Sequence, residues 1–394
     1  MLKLINTILS FSLLYSALVN AEEENLTWGG FISQGLVYTD NYNFIEGSKN
    51  ALSTDFREAA VYGLWRPTNH LRLGGQVIAR KLGNMTDDTP QIDYLSADYS
   101  LLSTPASSFG IRLGKLKLAN GFYNNTREVP FTRNSILLPQ SMYYEETRDF
   151  QLSALGVEFY GSEQLETDRF EYSFLASKPR KDQVSEFVFF RRNLSGKLDD
   201  GYLLIANMRL VEARDAWRVG VTLGSFGLTY FPGSSQELGL ERGDIDVKFF
   251  AISAEYNWER FSVTSEFFKH YIDYEDLGGF FAVEPKQTFE AFYVQGVYRP
   301  THNVDLLMRY DLAYRDAHDR SGKKHEKKFG VPASNYWSKD LTLGVGWQAT
   351  SSILLRAEWH HIRGTARVPE QENSNKLRKH SSWNMLLVQA AYRF

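Results

Sequence analysis

The sequence has no cysteine in its 394 residues, and proline is sparse, at 11 residues. Neither disulfide bonds nor a cysteine-ligated metal site can therefore hold the fold together. An excess of one charge is also missing, because the formal net charge is only −3. This near balance argues against a nucleic-acid partner and gives no overall electrostatic preference for a charged solute.

Long apolar runs are missing after residue 21. A helix needs about 20 mostly apolar residues to cross a bilayer, so a helical membrane protein is excluded. The mean hydropathy is also negative, at −0.36. A soluble fold remains, and so does a sheet whose apolar side chains occupy alternate positions, where window averages do not detect them.

The first 21 residues have the pattern of a secretory signal peptide. A basic start at Lys3 precedes the mostly apolar segment from Leu4 to Val19, and Ala21 stands just before an acidic cluster. Such a segment is removed after export and takes no part in the fold. We therefore predict a signal peptide over residues 1–21 and a single domain over residues 22–394.

Aromatic residues are abundant, with 22 Tyr, 27 Phe and 8 Trp, and apolar and polar residues alternate over segments of about ten residues. The segment from Val304 to Arg315 shows the pattern most clearly. One of its faces carries Val304, Leu306, Met308, Tyr310, Leu312 and Tyr314, and the other carries Asp305, Arg309, Asp311 and Arg315. Such two-faced segments predict β-strands.

Sixteen segments of this kind follow one another along the chain. They cover residues 28–38, 55–65, 71–81, 91–101, 109–117, 151–160, 169–177, 203–211, 216–224, 247–257, 260–272, 287–298, 304–315, 338–349, 353–363 and 382–394. A further hairpin around 226–230 would raise the number of strands to eighteen.

The connections between these segments sort by parity. Even-to-odd connections are mostly short, as at 66–69, 257–259, 299–303 and 349–352. Odd-to-even connections are mostly longer and polar, as at 40–54, 178–201, 225–246, 316–336 and 364–381. Short turns on one rim and long loops on the other are typical of a transmembrane antiparallel β-barrel of the bacterial outer membrane.

The end of the chain agrees with this prediction. Leu386, Val388, Ala390, Tyr392 and Phe394 alternate along the last segment. A terminal Phe on an alternating final strand resembles the signal by which bacterial outer-membrane barrels are recognised for assembly. The resemblance implies an integral, multi-pass location in the outer membrane, with outer-membrane lipid and lipopolysaccharide as partners.

The longest connection, Leu118 to Phe150, follows a stretch that is similar to one in porins. Arg112, Gly114, Lys117 and Gly121 match the Arg-x-Gly-x-x-Lys pattern and glycine turn of the phosphate-selective porin O/P type, whereas Ala119-Asn120 stands where that family commonly has Pro-Phe. The departure, and the lack of a cationic excess, leave phosphate specificity open.

The resemblance implies a passive channel for small hydrophilic solutes or ions, assembled as a homotrimer, with no cofactor and no metal. In sixteen-stranded porins the corresponding loop folds inward and narrows the pore. The alternative is an outward extracellular loop. The predicted constriction and lumen residues are Arg72, Arg80, Arg112, Lys117, Arg127, Glu128, Arg133, Glu145, Glu146, Arg309, Asp311, Arg356 and Glu358. Alternation also places Asp98, Glu158, Arg209, Glu255, Glu266, Asp305 and Arg315 on inward faces.

Three alternatives stay open at this point. A ligand-specific outer-membrane receptor, for example for a siderophore, uses the same kind of barrel. A soluble secreted β-protein, such as a lectin or a sandwich, would carry its polar side chains on the exterior. An outer-membrane hydrolase would need a Ser-His pair, but the sequence has no Gly-x-Ser-x-Gly or His-Glu-x-x-His motif, and we predict no enzyme. The basic tract 323–328 is interpreted as a solvated loop tip that contacts lipopolysaccharide phosphates.

Overall fold

A computed structural model describes residues 25–179, 183–191, 194–233, 237–373, 378 and 380–394. The predicted signal peptide lies outside the described residues. Alternating apolar and polar side chains suit the two faces of an extended chain, and the predicted segments form strands. The strands are β1 Leu26–Thr39, β2 Leu52–Trp65, β3 Leu71–Leu82, β4 Gln91–Ser103, β5 Ser107–Lys117, β6 Ser153–Gln164, β7 Asp168–Lys178, β8 Lys197–Glu212, β9 Trp217–Phe231, β10 Gly243–Asn257, β11 Phe261–Glu275, β12 Lys286–Thr301, β13 Val304–Tyr314, β14 Trp337–Gln348, β15 Ile353–Gly364 and β16 Ser382–Arg393.

The sixteen strands of the described chain form one closed antiparallel barrel in which each strand pairs with its neighbours in sequence. Closure occurs between β1 and β16, in a register that pairs Ile32 with Tyr392 and Tyr38 with Leu386. Beyond the end of β16, Gly30 and Phe394 exchange two backbone hydrogen bonds of 3.1 Å. The predicted fold class and number of strands are therefore confirmed.

The additional hairpin considered around residues 226–230 is wrong. These residues continue β9 and pair with β10, with Phe226 opposite Val247 and Tyr230 opposite Gly243. β8 likewise begins at Lys197, six residues before the prediction, because its polar start pairs with the end of β9. The alternation is weak at the start of β8, and at 226–230 it continues along β9 without a turn, so strand pairing defines both strand ends.

The barrel is apolar outside, and its inward faces carry charged side chains together with buried apolar and aromatic ones. On β13, Leu306, Met308 and Tyr310 are 43%, 59% and 42% exposed, whereas Arg309 and Asp311 on the opposite face are 0% and 3% exposed. This arrangement inverts that of a water-soluble protein, and it does not fit the soluble β-protein alternative.

The connections follow the predicted parity. Short turns at 66–70, 104–106, 165–167, 213–216, 258–260, 302–303 and 349–352 share one rim, which we call the short-turn rim. The connections at 40–51, 83–90, 118–152, 179–196, 232–242, 276–285, 315–336 and 365–381 share the other, the long-loop rim.

The helices lie in these longer connections. They are α1 Arg148–Leu152, α2 Gln183–Phe190 and α3 Lys323–Phe329, with 3-10 turns at Pro130–Thr132, Glu145–Thr147, Glu237–Gly239, Gly279–Ala282 and Ala333–Tyr336. No helix in the described ranges is long and apolar enough to cross a membrane. The basic tract forms α3, which has no buried residue, so the predicted loop tip is a short exposed helix.

Gly114 is the residue of β5 at which the backbone requires glycine. Its φ is +126°, and a Cβ at this position would overlap the carbonyl oxygen of Leu95 on β4. We expect Gly114→Ala to destabilise the barrel by roughly 1–3 kcal/mol or more, because it adds a steric clash to a backbone strain of that size. The measurement is the midpoint temperature at which the folded, fast-migrating form is lost on SDS gels.

Gly63→Ala is the matched control, because the nearest atom to a Cβ at Gly63 is 3.9 Å away. An equal midpoint for Gly114→Ala and Gly63→Ala would contradict the assignment.

Candidate functional site

The connection 118–152, which we call the lumen loop, lies inside the barrel. It contacts walls on different sides, since the backbone N–H of Phe122 donates to Glu266 on β11 at 2.8 Å, and that of Ile136 donates to Glu358 on β15. Arg133 of the same loop lies 3.5 Å from Glu58 on β2. The predicted inward fold is therefore confirmed, and the outward alternative is wrong.

An ion-pair network joins the lumen loop to the wall formed by β2 and β3. Arg80 lies between two carboxylates, 2.7 Å from Glu58 and 2.9 Å from Glu145. Arg127 lies 3.3 Å from Glu145, and Arg133 approaches Glu58. All five residues are at most 4% exposed, so these charges are compensated by one another and not by water.

A second network joins the loop to β4 and β5. Lys117, the last residue of β5, lies 2.6 Å from Asp93 on β4 and also bonds Glu128 of the loop. Arg148 at the start of α1 lies 3.0 Å from Glu128 on the other side. Glu128 therefore lies between two cations, and the loop is anchored where it leaves β5.

The carboxylates of the loop are held in the charged form. Burial by itself raises the pKa of Glu145, but Arg80 and Arg127 outweigh it and lower that pKa from 4.5 to about 2. Burial likewise opposes ionisation of Glu128, yet Lys117 and Arg148 lower its pKa. Both groups are therefore anionic at neutral pH, and the networks are true ion pairs.

The wall at β11 and β12 binds the loop through a buried carboxylate. Glu266 accepts hydrogen bonds of 2.6 Å from the hydroxyls of Tyr143 and Tyr293, besides the Phe122 N–H, and one of 2.5 Å from Ser253. Alternation predicted that Glu266 faces inward, but the sequence carries no signal that pairs it with a tyrosine 123 residues away. It was therefore absent from the predicted constriction.

The wall at β13 and β15 contacts the loop backbone. Asp311 accepts from the N–H of Ser141 at 3.2 Å, and Arg356 donates to the carbonyl of Pro130 at 2.7 Å. Arg309 is fully buried and bonds neutral side chains, with no carboxylate within 4.0 Å in the described part of the chain. Asp311 and Arg356 therefore hold the loop in place, whereas Arg309 bonds only wall residues, and all three are shielded from water.

Glu146 has a different environment from the other predicted constriction residues. Its carboxylate accepts the backbone N–H groups of Glu370 and Gln371, at 2.5 and 3.1 Å, and lies 3.3 Å from Arg191. It therefore connects the lumen loop to the last long loop of the barrel, and it does not bind the barrel wall.

Arg72 and Arg112 are the predicted lumen cations that remain open to water. Their side chains are 42% and 36% exposed, and both lie 3.1 Å from Asp98, while Arg112 also lies 2.7 Å from Glu158. They face the lumen toward the short-turn rim, where the lumen loop does not cover them. Arg72 and Arg112 thus differ from buried charges such as Arg80, which is covered by the loop and paired with Glu145 of that loop.

Two negative findings bear on other chemistry. Among the described residues, no group of three or more His, Asp or Glu side chains is arranged to hold a metal ion. His360 bonds Asp340 and Glu358, and His361 bonds Asn384, so within that same part of the chain neither contacts a serine hydroxyl.

A closed barrel of sixteen antiparallel strands with a loop folded into its lumen is the architecture of outer-membrane porins and channels. Together with the apolar exterior, it makes the chain an integral β-barrel of the bacterial outer membrane.

Comparison with known proteins agrees in fold. No family model and no curated protein matches the sequence, so the more specific likeness to O/P-type porins has no support there. OmpT of Vibrio cholerae in its trimer form superimposes with a TM-score of 0.56 at 13% identity, over 94% of this chain and 99% of that one. An anion-selective porin from Comamonas acidovorans gives 0.56 at 11%, over 94% and 99%. The outer membrane channel DcaP of Acinetobacter baumannii gives 0.57 at 11%, over 95% and 99%.

Glu145 offers a test of the network. Glu145→Gln removes the carboxylate that Arg80 and Arg127 share, leaving Arg80 with Glu58 alone and Arg127 with Glu128 at 3.9 Å. Breaking a buried pair costs about 3–5 kcal/mol. We expect faster amide hydrogen exchange in residues 118–150 at neutral pH. Because the pKa of Glu145 is lowered, its contribution is complete above pH 4.5 and is lost as the pH falls toward about 2.

The control is Glu259→Gln, at an exposed position in a short turn. Equal exchange in the two variants at neutral pH, or a wild-type loop whose protection does not fall between pH 4.5 and 2, would contradict the role of Glu145.

Proposed function

We propose that the chain is an outer-membrane porin, a passive diffusion channel for small hydrophilic solutes or ions. The observation that carries the proposal is the lumen loop, which crosses the barrel and is attached to β2, β11 and β15. A loop held at that position narrows any path through the lumen, and its charges together with those of the wall select solutes.

The water-exposed charges toward the short-turn rim support a channel with weak ion preference. Arg72 and Arg112 pair with Asp98 and Glu158, and on the next part of the wall Arg218 lies 3.0 Å from Glu255. Three cations therefore face three carboxylates. Such a mixture gives a local transverse field that orients dipolar solutes without a net charge in the mouth.

The extent of burial in the lumen loop favours a second candidate, a ligand-specific outer-membrane receptor or transport barrel such as one for siderophores. Arg127, Glu128 and Glu145 are at most 4% exposed, as in a barrel that is closed until a ligand binds. Single-channel recording separates the two. A folded and inserted protein that never conducts would favour the receptor.

The remaining parts of the proposal concern chemistry and assembly. The porins and channels among the similar structures support a non-enzymatic barrel. The trimer form of Vibrio cholerae OmpT supports a homotrimer. The exposed cations of α3 fit the phosphates of lipopolysaccharide at the long-loop rim.

Shortening the lumen loop tests the constriction. Deletion of residues within Asn124–Glu145, closed by a Gly-Ser linker, should raise the single-channel conductance, because the narrowest part of the lumen becomes wider. Planar-bilayer recording measures it, after gel mobility has shown that the barrel is folded.

The control is a deletion within α3, which has no buried residue and makes no part of the lumen loop, so the conductance should stay unchanged. An unchanged conductance in a folded lumen-loop variant would remove this loop from the pore.

Charge changes toward the short-turn rim test ion selectivity. Asp98→Asn with Glu158→Gln leaves the cations Arg72 and Arg112 uncompensated, so the reversal potential under a salt gradient should shift toward anion preference. Arg72→Gln with Arg112→Gln should shift it by a similar amount toward cation preference. Two shifts of the same sign, or none, would show that these residues do not control permeation.

A further inference from the structure

A cavity of about 430 Å³ lies between the lumen loop and the long-loop rim. The parts of β8 to β12 that are nearest this rim form its wall. Its size is that of sites for small organic molecules. Phe280 at its edge is 50% exposed, and the side chain of Lys286 is 75% exposed, so the cavity is reached from the long-loop rim. The proposed porin function, with its hydrophilic solutes, does not explain its lining.

Aromatic rings form one wall of this cavity. Phe150 of α1 packs edge-on against Phe226 of β9 at 5.4 Å and against Phe189 of α2 at 5.7 Å between ring centroids. Phe190 lies 5.9 Å from Phe281, which in turn lies 4.2 Å from Tyr274 of β11. Such a wall favours a flat apolar or aromatic group over a sugar or an inorganic ion.

A second aromatic wall faces the end of the lumen loop. The imidazole of His270 on β11 stacks on Phe289 of β12 at 4.8 Å, and Phe268 lies 6.2 Å from Phe289. These three residues line the cavity. The two walls belong to different loops and strands, so the aromatic lining is a property of the assembled barrel.

One cation in the lining lacks an acidic partner. Arg367, in the loop between β15 and β16, has its guanidinium 4.6 Å from the ring centroids of both Tyr144 and Phe289, and it donates to the Ser141 carbonyl at 2.9 Å. No carboxylate lies within 4.0 Å of it in the described chain, and its Nε is buried without a hydrogen-bond partner. Burial lowers its pKa to about 10, so it stays protonated at neutral pH.

The other charges around the cavity are already paired. Arg191 lies 3.3 Å from Glu146, and Arg315 lies 3.5 Å from Glu370. The two acidic lining residues are paired as well, Glu284 with Lys328 and Asp316 with His318. Arg367 is therefore the lining cation for which a bound anion would supply a missing partner.

We propose that this cavity binds an aromatic carboxylate, with the ring between the phenylalanine walls and the carboxylate on the guanidinium of Arg367. The proposal deepens the proposed function by naming a class of solute for the channel, and it rests on that function only for passage through the barrel. Binding requires only the cavity and its charge.

Calorimetric titration of the folded protein in amphipol tests binding with three probes. 3-Phenylpropionate carries both ring and charge, 3-phenylpropan-1-ol carries the ring alone, and propionate carries the charge alone. We expect saturable binding of 3-phenylpropionate and at least about tenfold weaker binding of the other two. 3-Phenylpropan-1-ol loses the charge-assisted hydrogen bond, and propionate loses the aromatic contact.

Arg367→Met should weaken 3-phenylpropionate at least about tenfold and leave 3-phenylpropan-1-ol unchanged, because only the charged contact is removed. Phe189→Ala should weaken both probes that contain a ring. Arg66→Met, in a short turn at the opposite rim, is the matched control and should bind like the wild type. Gel mobility shows whether each variant is folded.

Equal affinity for the charged and uncharged ring probes, or no binding of 3-phenylpropionate to the folded protein, would overturn the proposal. Single-channel recording keeps the two proposals separate. Binding without conductance would leave the aromatic carboxylate site standing and overturn the channel. Conductance without binding would support the channel and overturn the aromatic carboxylate site.

Discussion

Hydrocarbon offers no water to backbone N–H and C=O groups, and this constraint governs the whole architecture. A sheet can enter a bilayer only if its own strands satisfy every backbone group, so it has to close on itself. Here the closure is the ladder between β1 and β16, completed by the two hydrogen bonds between Gly30 and Phe394. The outward face contacts lipid and therefore carries apolar side chains, as on β13.

Closure forces the polar side chains inward, and this creates a second problem. Charges such as Arg80 and Glu58 face the lumen where the lumen loop covers them and shields them from water. The loop compensates by carrying opposite charges of its own, Glu145 for Arg80 and Arg133 for Glu58. Because a buried ion is costly without a partner, loop and wall specify each other's position.

The sequence predicts the strands well because successive side chains of a strand point to opposite faces of the sheet. An apolar exterior therefore requires an apolar side chain at every second position. It fails where the pattern is weak, as at the polar start of β8, which only pairing with β9 defines. It also predicts that Arg72 and Arg80 of β3 face the lumen, but not that Arg72 meets water while Arg80 is buried. That difference depends on the level along the barrel axis at which the lumen loop crosses. Alternation of apolar and polar residues carries no information about this level.

The candidate sites show the same limit. The loop charges can be listed from the sequence, but their partners on distant strands cannot, as Arg133 and Glu58 show. The aromatic cavity was not predicted, because Phe150, Phe226 and Phe289 lie far apart in the chain and meet only after closure. A single phenylalanine on an inward face is indistinguishable in sequence from one that simply fills space.

The pairing of the first strand with the last has a consequence for biogenesis. No smaller set of consecutive strands of this sheet is free of open edges, so a partly delivered chain would present unpaired backbone and apolar side chains together. Such an intermediate is prone to aggregate in water and is not stable in lipid. The ring can therefore close only once β16, the last strand of the sheet, is available.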